Sequence, residues 1–177
     1  MDKPARKPNR LKNYDYSSDG MYFITLCTKN KEHLLCNIVG DGAPDVPSTH
    51  ETRVNLTKTG EIAKKYILSA NKTKGVTIDK YVIMPNHIHL LISVNRSETV
   101  LLPTCKSGTS KAPSPTNAII PQVVSAFKRL VNKETGKDIF QRSYHDHIIR
   151  GEKDYEKIWE YIDTNPTKWE SDCFYSD

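Results

Sequence analysis

Tyr81-Val-Ile-Met-Pro-Asn-His87-Ile-His89-Leu-Leu-Ile-Ser-Val94 decides how this chain reads, because it sets two imidazoles one residue apart inside an otherwise apolar, β-like run. Alternate side chains of a strand share a face, so His87 and His89 point one way and Ile88 the other. Two neutral imidazoles on one face are ready ligands for a divalent metal. The plainer alternative is a buried strand that carries two hydrogen-bonded histidines, and a third ligand or a nucleophile elsewhere is needed to choose. Val76 to Met84 reads as the preceding strand and Pro85-Asn86 as a turn, so the pair opens the returning arm of a hairpin.

Outward from the hairpin, Gly20 to Thr28 is β-branched and aromatic with no breaker, which predicts a central strand. Ile62, Ala63, Tyr66, Ile67 and Ala70 recur at three and four, predicting a helix from about Thr57 to Asn71. Ile119, Ile120, Val123, Val124, Phe127, Leu130 and Val131 predict a second, ending at Gly136, with Pro121 tolerated in its first turn. Lys128, Arg129 and Lys133 lie off its apolar stripe, where they suit either solvent or a phosphate backbone. Phe140 to Arg150 predicts a fourth strand, and a last helix runs from Glu152 to Asn165, closed by Pro166. Residues 40–53 and 95–117 are loops by composition, the second rich in Ser, Thr and Pro and expected to be flexible or to fold around a ligand. The order strand, helix, strand, strand, helix, strand, helix is that of a ferredoxin-like α+β sandwich, an antiparallel sheet with helices on one face and one added C-terminal helix.

On that last helix Tyr155, Ile158, Trp159 and Ile162 fall in one stripe and are expected to form its core face. Tyr161 and Asn165 fall together on a flank, one turn apart. A tyrosine turned from the core with an amide four residues on is a candidate functional pair, although a tyrosine at a helix edge is also ordinary packing.

The 177 residues suffice for one domain, 1–177, with a real core, and carry a net charge of +5. Residues 1–12 hold Lys3, Arg6, Lys7, Arg10 and Lys12 against Asp2, a basic arm that suits a polyanion or, equally from charge alone, a solvated tail with no partner. No apolar run is long enough to span a bilayer and no hydrophobic stretch follows the first charges, so a cytoplasmic protein without a membrane partner is expected. Cysteines 27, 36, 105 and 173 are scattered with no Cys-x-x-Cys, which predicts reduced, structural thiols.

Met84-Pro-Asn-His-Ile-His-Leu-Leu resembles the His-hydrophobic-His (HUH) motif of single-tyrosine transposases and relaxase-like endonucleases. Arg10-Leu-Lys-Asn-Tyr-Asp-Tyr, Gly20-Met-Tyr-Phe-Ile-Thr-Leu-Cys-Thr, Asp146-His-Ile-Ile-Arg150 and Tyr161-Ile-Asp-Thr-Asn-Pro-Thr-Lys-Trp169 are similar to further blocks of the REP-associated tyrosine transposase branch, in the right order along nearly the whole chain. The resemblance implies a metal-dependent enzyme that cleaves and rejoins single-stranded DNA near hairpins through a 5′-phosphotyrosine. It assigns Tyr161 as nucleophile, His87 and His89 as ligands of Mg²⁺ or Mn²⁺, and Asn165 as third ligand, where insertion-sequence relatives carry Gln. It also implies a bacterial nucleoid location and leaves open a homodimer sharing the tyrosine helix in cis or trans. By charge placement, Arg6, Lys7, Arg10 and Lys12 of the arm and Lys128 and Arg129 of the second helix are the candidate DNA contacts.

Two readings compete. One is a catalytically idle or domesticated DNA-hairpin-binding protein, for which the basic residues suffice. The other is an unrelated metal-dependent phosphodiesterase using the histidines with a carboxylate such as Asp146. The second His-x-His, His145 and His147, is by spacing as good a metal pair as the first.

Overall fold

The computed structural model describes residues 19–39, 52–95 and 119–175, so the basic arm and most of the two loops lie outside the described residues. Four strands form one antiparallel sheet: β1 (Gly20–Cys27), β4 (Val76–Ile83), β5 (His87–Val94) and β6 (His145–Ile149), in the order β4-β5-β1-β6. Helices α1 (Lys58–Ala70), α2 (Ile119–Thr135) and α3 (Glu152–Thr164) complete the ferredoxin-like plan. β1 holds the centre because Gly20–Cys27 has no residue that breaks a ladder on either side, and it pairs with β5 over its whole length.

Strand alternation divides the sheet into two unequal faces. Tyr22, Ile24 and Leu26 of β1 and Ile88, Leu90, Ile92 and Val94 of β5 join Ala63, Ile67, Val124, Phe127 and Val131 of α1 and α2 in the larger core. Phe23, Leu91 and Ile149 face the other way and meet Ile158 and Ile162 of α3 in a smaller one. The added C-terminal helix therefore sits on the face that carries His87 and His89, opposite α1 and α2.

A bulge in β4 seats that helix. The register slips between Ile78 and Lys80, so Val76, Ile78, Tyr81 and Ile83 pack toward α1 and α2 while Lys80 turns to the α3 side. There its ammonium lies 2.8 Å from Asp163 and 4.2 Å from the centre of the Trp159 ring. Trp159 is consequently 38% exposed. The expectation of a core tryptophan fails because Lys80, an amphipathic strut, stands between its ring and the sheet.

α1 starts at Thr57, whose Oγ1 accepts from Gly60 N at 3.1 Å as an N-cap. Gly60 is required for a second reason: a Cβ there would stand 2.0 Å from the Leu35 carbonyl oxygen.

Two elements differ from expectation. A short hairpin, β2 (Cys36–Val39) with β3 (Arg53–Leu56), brackets the loop predicted at 40–53. Its four-residue strands are too short to show a period. The fourth strand is cut to His145–Ile149, with Phe140 making only an isolated bridge to Thr28. Lys128 Nζ donates to the carbonyls of Gln141 (2.7 Å) and Ser143 (3.1 Å), which takes that backbone out of the ladder. Cys27 and Cys36 are free and buried, and burial raises their thiols to about 11 and about 12.

Candidate active site

The hairpin turn at Pro85-Asn86 is two residues long and is pinned from outside. Met84 N donates to His87 O at 2.9 Å, Leu35 N to Pro85 O at 3.0 Å and Thr28 N to Asn86 O at 2.8 Å. His87 and His89 are thereby fixed opposite Cys27 and Thr25 of β1, and both are buried, at 0% and 1% exposure.

Each imidazole is oriented from behind. Asn86 Nδ2 donates to the Phe174 carbonyl at 2.9 Å, which leaves Asn86 Oδ1 facing His87 Nδ1, also at 2.9 Å. An acceptor at that position requires His87 to carry its proton on Nδ1, so Nε2 presents a lone pair, and Nε2 is buried with no partner among the described residues. Thr25 Oγ1 stands 2.9 Å from His89 Nδ1 in the same supporting role. Burial drives both rings toward the neutral form, His87 to about 4 with Lys31 adding to the effect and His89 to about 3 with His87 adding to it, while Asp172 opposes.

α3 delivers its flank to the same place. Tyr161 Oη lies 3.3 Å from His89 Nε2 and donates to Asp172 Oδ2 at 3.0 Å. Asn165, 2% exposed, donates through Nδ2 to the same carboxylate oxygen at 2.7 Å. That bond fixes the amide, so Asn165 Oδ1 is left as a second buried acceptor without a partner. Burial and the neighbouring Asp172 charge raise the Tyr161 hydroxyl well above its ordinary 10.0. Burial also pushes Asp172 up, but the hydrogen bonds from the Phe174 N–H, the Asn165 amide and the Tyr161 hydroxyl, with His87 close by, outweigh it and the carboxyl is net lowered.

The chain thus brings His87, His89, Tyr161 and Asn165 together. Asp172 joins them: one ligand atom from each of His87, His89 and Asp172 lies within 4.8 Å of the others, a group able to hold a metal ion. It is the residue that sequence reasoning missed. It follows a 3₁₀ turn at Pro166–Ser171, where no helical period carries over from α3, and Glu170-Ser-Asp172 resembles any solvated acidic stretch.

The other candidates part company. His147 Nε2 pairs with Asp154 Oδ2 at 2.9 Å on the first turn of α3, and the rings of His145 and His147 are exposed. Asp146 pairs with Ile24 across the ladder, on the face opposite His87 and His89. Arg129 is exposed, whereas Lys128, half-buried and lowered by that burial, is committed to main-chain carbonyls. Arg6, Lys7, Arg10 and Lys12 lie outside the described residues.

No family model matches the chain. Its fold is that of a REP-associated tyrosine transposase, one of which, solved bound to a REP hairpin, is 18% identical with a TM-score of 0.59 over 90% of this chain and 74% of that one. In sequence the chain is 36% identical to an uncharacterized protein of Haemophilus influenzae over 180 residues, covering 97% of this chain and 94% of the relative. The chain belongs to the family of that Haemophilus influenzae protein.

Proposed function

We propose that the chain is a metal-dependent single-stranded DNA transposase or endonuclease that cuts and rejoins DNA near hairpin repeats. The observation that carries this reading is the pair of buried, unpartnered acceptors, His87 Nε2 and Asn165 Oδ1, beside a tyrosine hydroxyl. A protein does not keep two such atoms without return, since each costs about 1–3 kcal/mol. The donor set fits Mg²⁺ or Mn²⁺ held by His87, His89 and Asn165, with Asp172 a further oxygen ligand. A bound ion would polarise the scissile phosphate and offset charge in the transition state.

The chain's own residues supply the rest. Tyr161 Oη attacks phosphorus, the P–O3′ bond breaks, and the departing O3′ takes a proton from water, so the products are a 5′-phosphotyrosine and a free 3′-OH that can reverse the step. Asp172, already accepting the Tyr161 hydroxyl proton in a hydrogen bond, is the group placed to take it. The hairpin carried by the solved relative suggests the same class of substrate here. Arg129 and the basic arm 1–12 would follow the phosphate backbone, in a protein acting at the bacterial nucleoid, alone or as a homodimer.

Incubation with a single-stranded hairpin oligonucleotide and Mg²⁺ or Mn²⁺ should give a protein–DNA adduct on a denaturing gel, mapping to Tyr161 rather than Tyr155 or Tyr144. Tyr161→Phe should abolish the adduct and keep hairpin binding. An undiminished adduct in Tyr161→Phe would sink the assignment. Binding by the wild type without any adduct would favour the idle hairpin-binding reading, which the Asp172 hold on Tyr161 and Asn165 also suits.

A further inference from the structure

Beside the candidate centre stands a group of aromatic rings that the proposed chemistry does not use. Trp169, half-buried on the 3₁₀ turn after α3, has its ring centre 5.9 Å from His87. His33 lies 5.7 Å from Trp169 at 67° and Tyr175 lies 5.2 Å from it at 68°. Both flanking rings are exposed, so the cluster opens to solvent on one side and touches the metal-ligand candidates on the other.

Cations accompany it. Lys31 and Lys168 are exposed on the two segments that carry His33 and Trp169. Lys31 is close enough for its charge to be felt at His87. Its turn, Lys29–Lys31, holds Asn30 and Lys31 at φ 53° and 56°, a left-handed conformation that residues with a Cβ seldom adopt.

An aromatic surface flanked by lysines is what unpaired nucleic acid uses, because every base offers a π-face while its phosphate needs a cation. Two of the three rings are exposed and can be reached by a base from solvent. Resting on the function proposed above, we propose that Trp169, flanked by His33 and Tyr175, is a stacking subsite for an unpaired nucleobase of the DNA strand whose phosphate lies at His87 and His89, with Lys31 and Lys168 on the adjoining phosphates.

The chain has two tryptophans, Trp159 and Trp169, so Trp159→Phe leaves Trp169 as a single reporter. That variant, in EDTA to prevent cleavage, is titrated with a fluorescently labelled hairpin oligonucleotide bearing single-stranded flanks, with anisotropy and tryptophan emission read together. Trp169 emission should be quenched in step with binding, and an abasic site walked along the flank should relieve the quench at one position. Trp169→Ala should weaken binding roughly 5- to 150-fold, and Trp169→Phe much less. Saturable binding with Trp169 emission unchanged would overturn the subsite, as would wild-type affinity in a folded Trp169→Ala protein. No anisotropy change with the wild type would overturn the single-strand function itself, and the subsite with it.

Discussion

Replacing His87 with leucine separates a metal ligand from a packing histidine, because the two predict opposite signs. In the metal-free protein the substitution removes a buried lone pair that has no partner, relieving about 1–3 kcal/mol. It also strips Asn86 Oδ1 of the His87 N–H, which costs a similar amount. The two nearly cancel, so His87→Leu in EDTA should lie within about 1 kcal/mol of wild type. Metal reverses the balance. At 100 times its dissociation constant an ion stabilises the wild type by about 2.7 kcal/mol. For a chain of 177 residues that is about 5–11 °C in Tm. The variant should gain nothing. Thermal melts of both proteins at pH 7.5 with EDTA or with Mn²⁺ give the four numbers needed. A metal-ligand role for His87 is refuted if Mn²⁺ raises both melts equally, or if the variant loses more than about 3 kcal/mol in EDTA, the loss expected when a well-satisfied core group is broken.

Acid should destabilise the metal-free protein. Unfolded histidines take up protons near 6.5, whereas folded His87 and His89 do so only near 4 and 3, so the unfolded chain binds more protons between those values. Stability therefore rises with pH across about 4 to 6.5, and urea melts should show a shallower dependence in His87→Leu; parallel profiles would argue against a depressed His87. Gly60→Ala should destabilise by about 1–3 kcal/mol or more, the reverse of the gain of about 0.5–1 kcal/mol usual for glycine to alanine inside a helix. The cause is the new Cβ 2.0 Å from the Leu35 carbonyl oxygen, which itself accepts from Thr57 N; a neutral or stabilised variant in denaturant titration would contradict it.

Much of the fold was legible because long elements carry their own period. α1, the β4–β5 hairpin and α3 lie within a residue or two of where apolar spacing puts them. Trp159 was misread because the stripe on α3 is set by its own angles, while its exposure depends on Lys80, which a bulge one strand away turns toward it. The site was legible where residues sit at fixed spacing on one element, as do His87 with His89 and Tyr161 with Asn165. Asp172 and the Asn86–Phe174 bond were not, since both depend on how the chain doubles back after α3, and no periodicity records a return path.

The unequal faces of the sheet divide the molecule energetically. Among the described residues α1 and α2 share a core of twenty buried residues with the sheet and its loops, whereas the apolar core under α3 has four, Leu91, Ile149, Ile158 and Ile162, supplemented by Lys80–Asp163 and the hydrogen bonds to Asp172. Opening free energy follows buried apolar contact, so α3 forms the weaker cooperative unit and its amides should exchange before those of the central strands. On heating, Tyr161 would leave the histidines while β1 and β5 remain paired, and any activity needing the two together would be lost at a lower temperature than secondary structure.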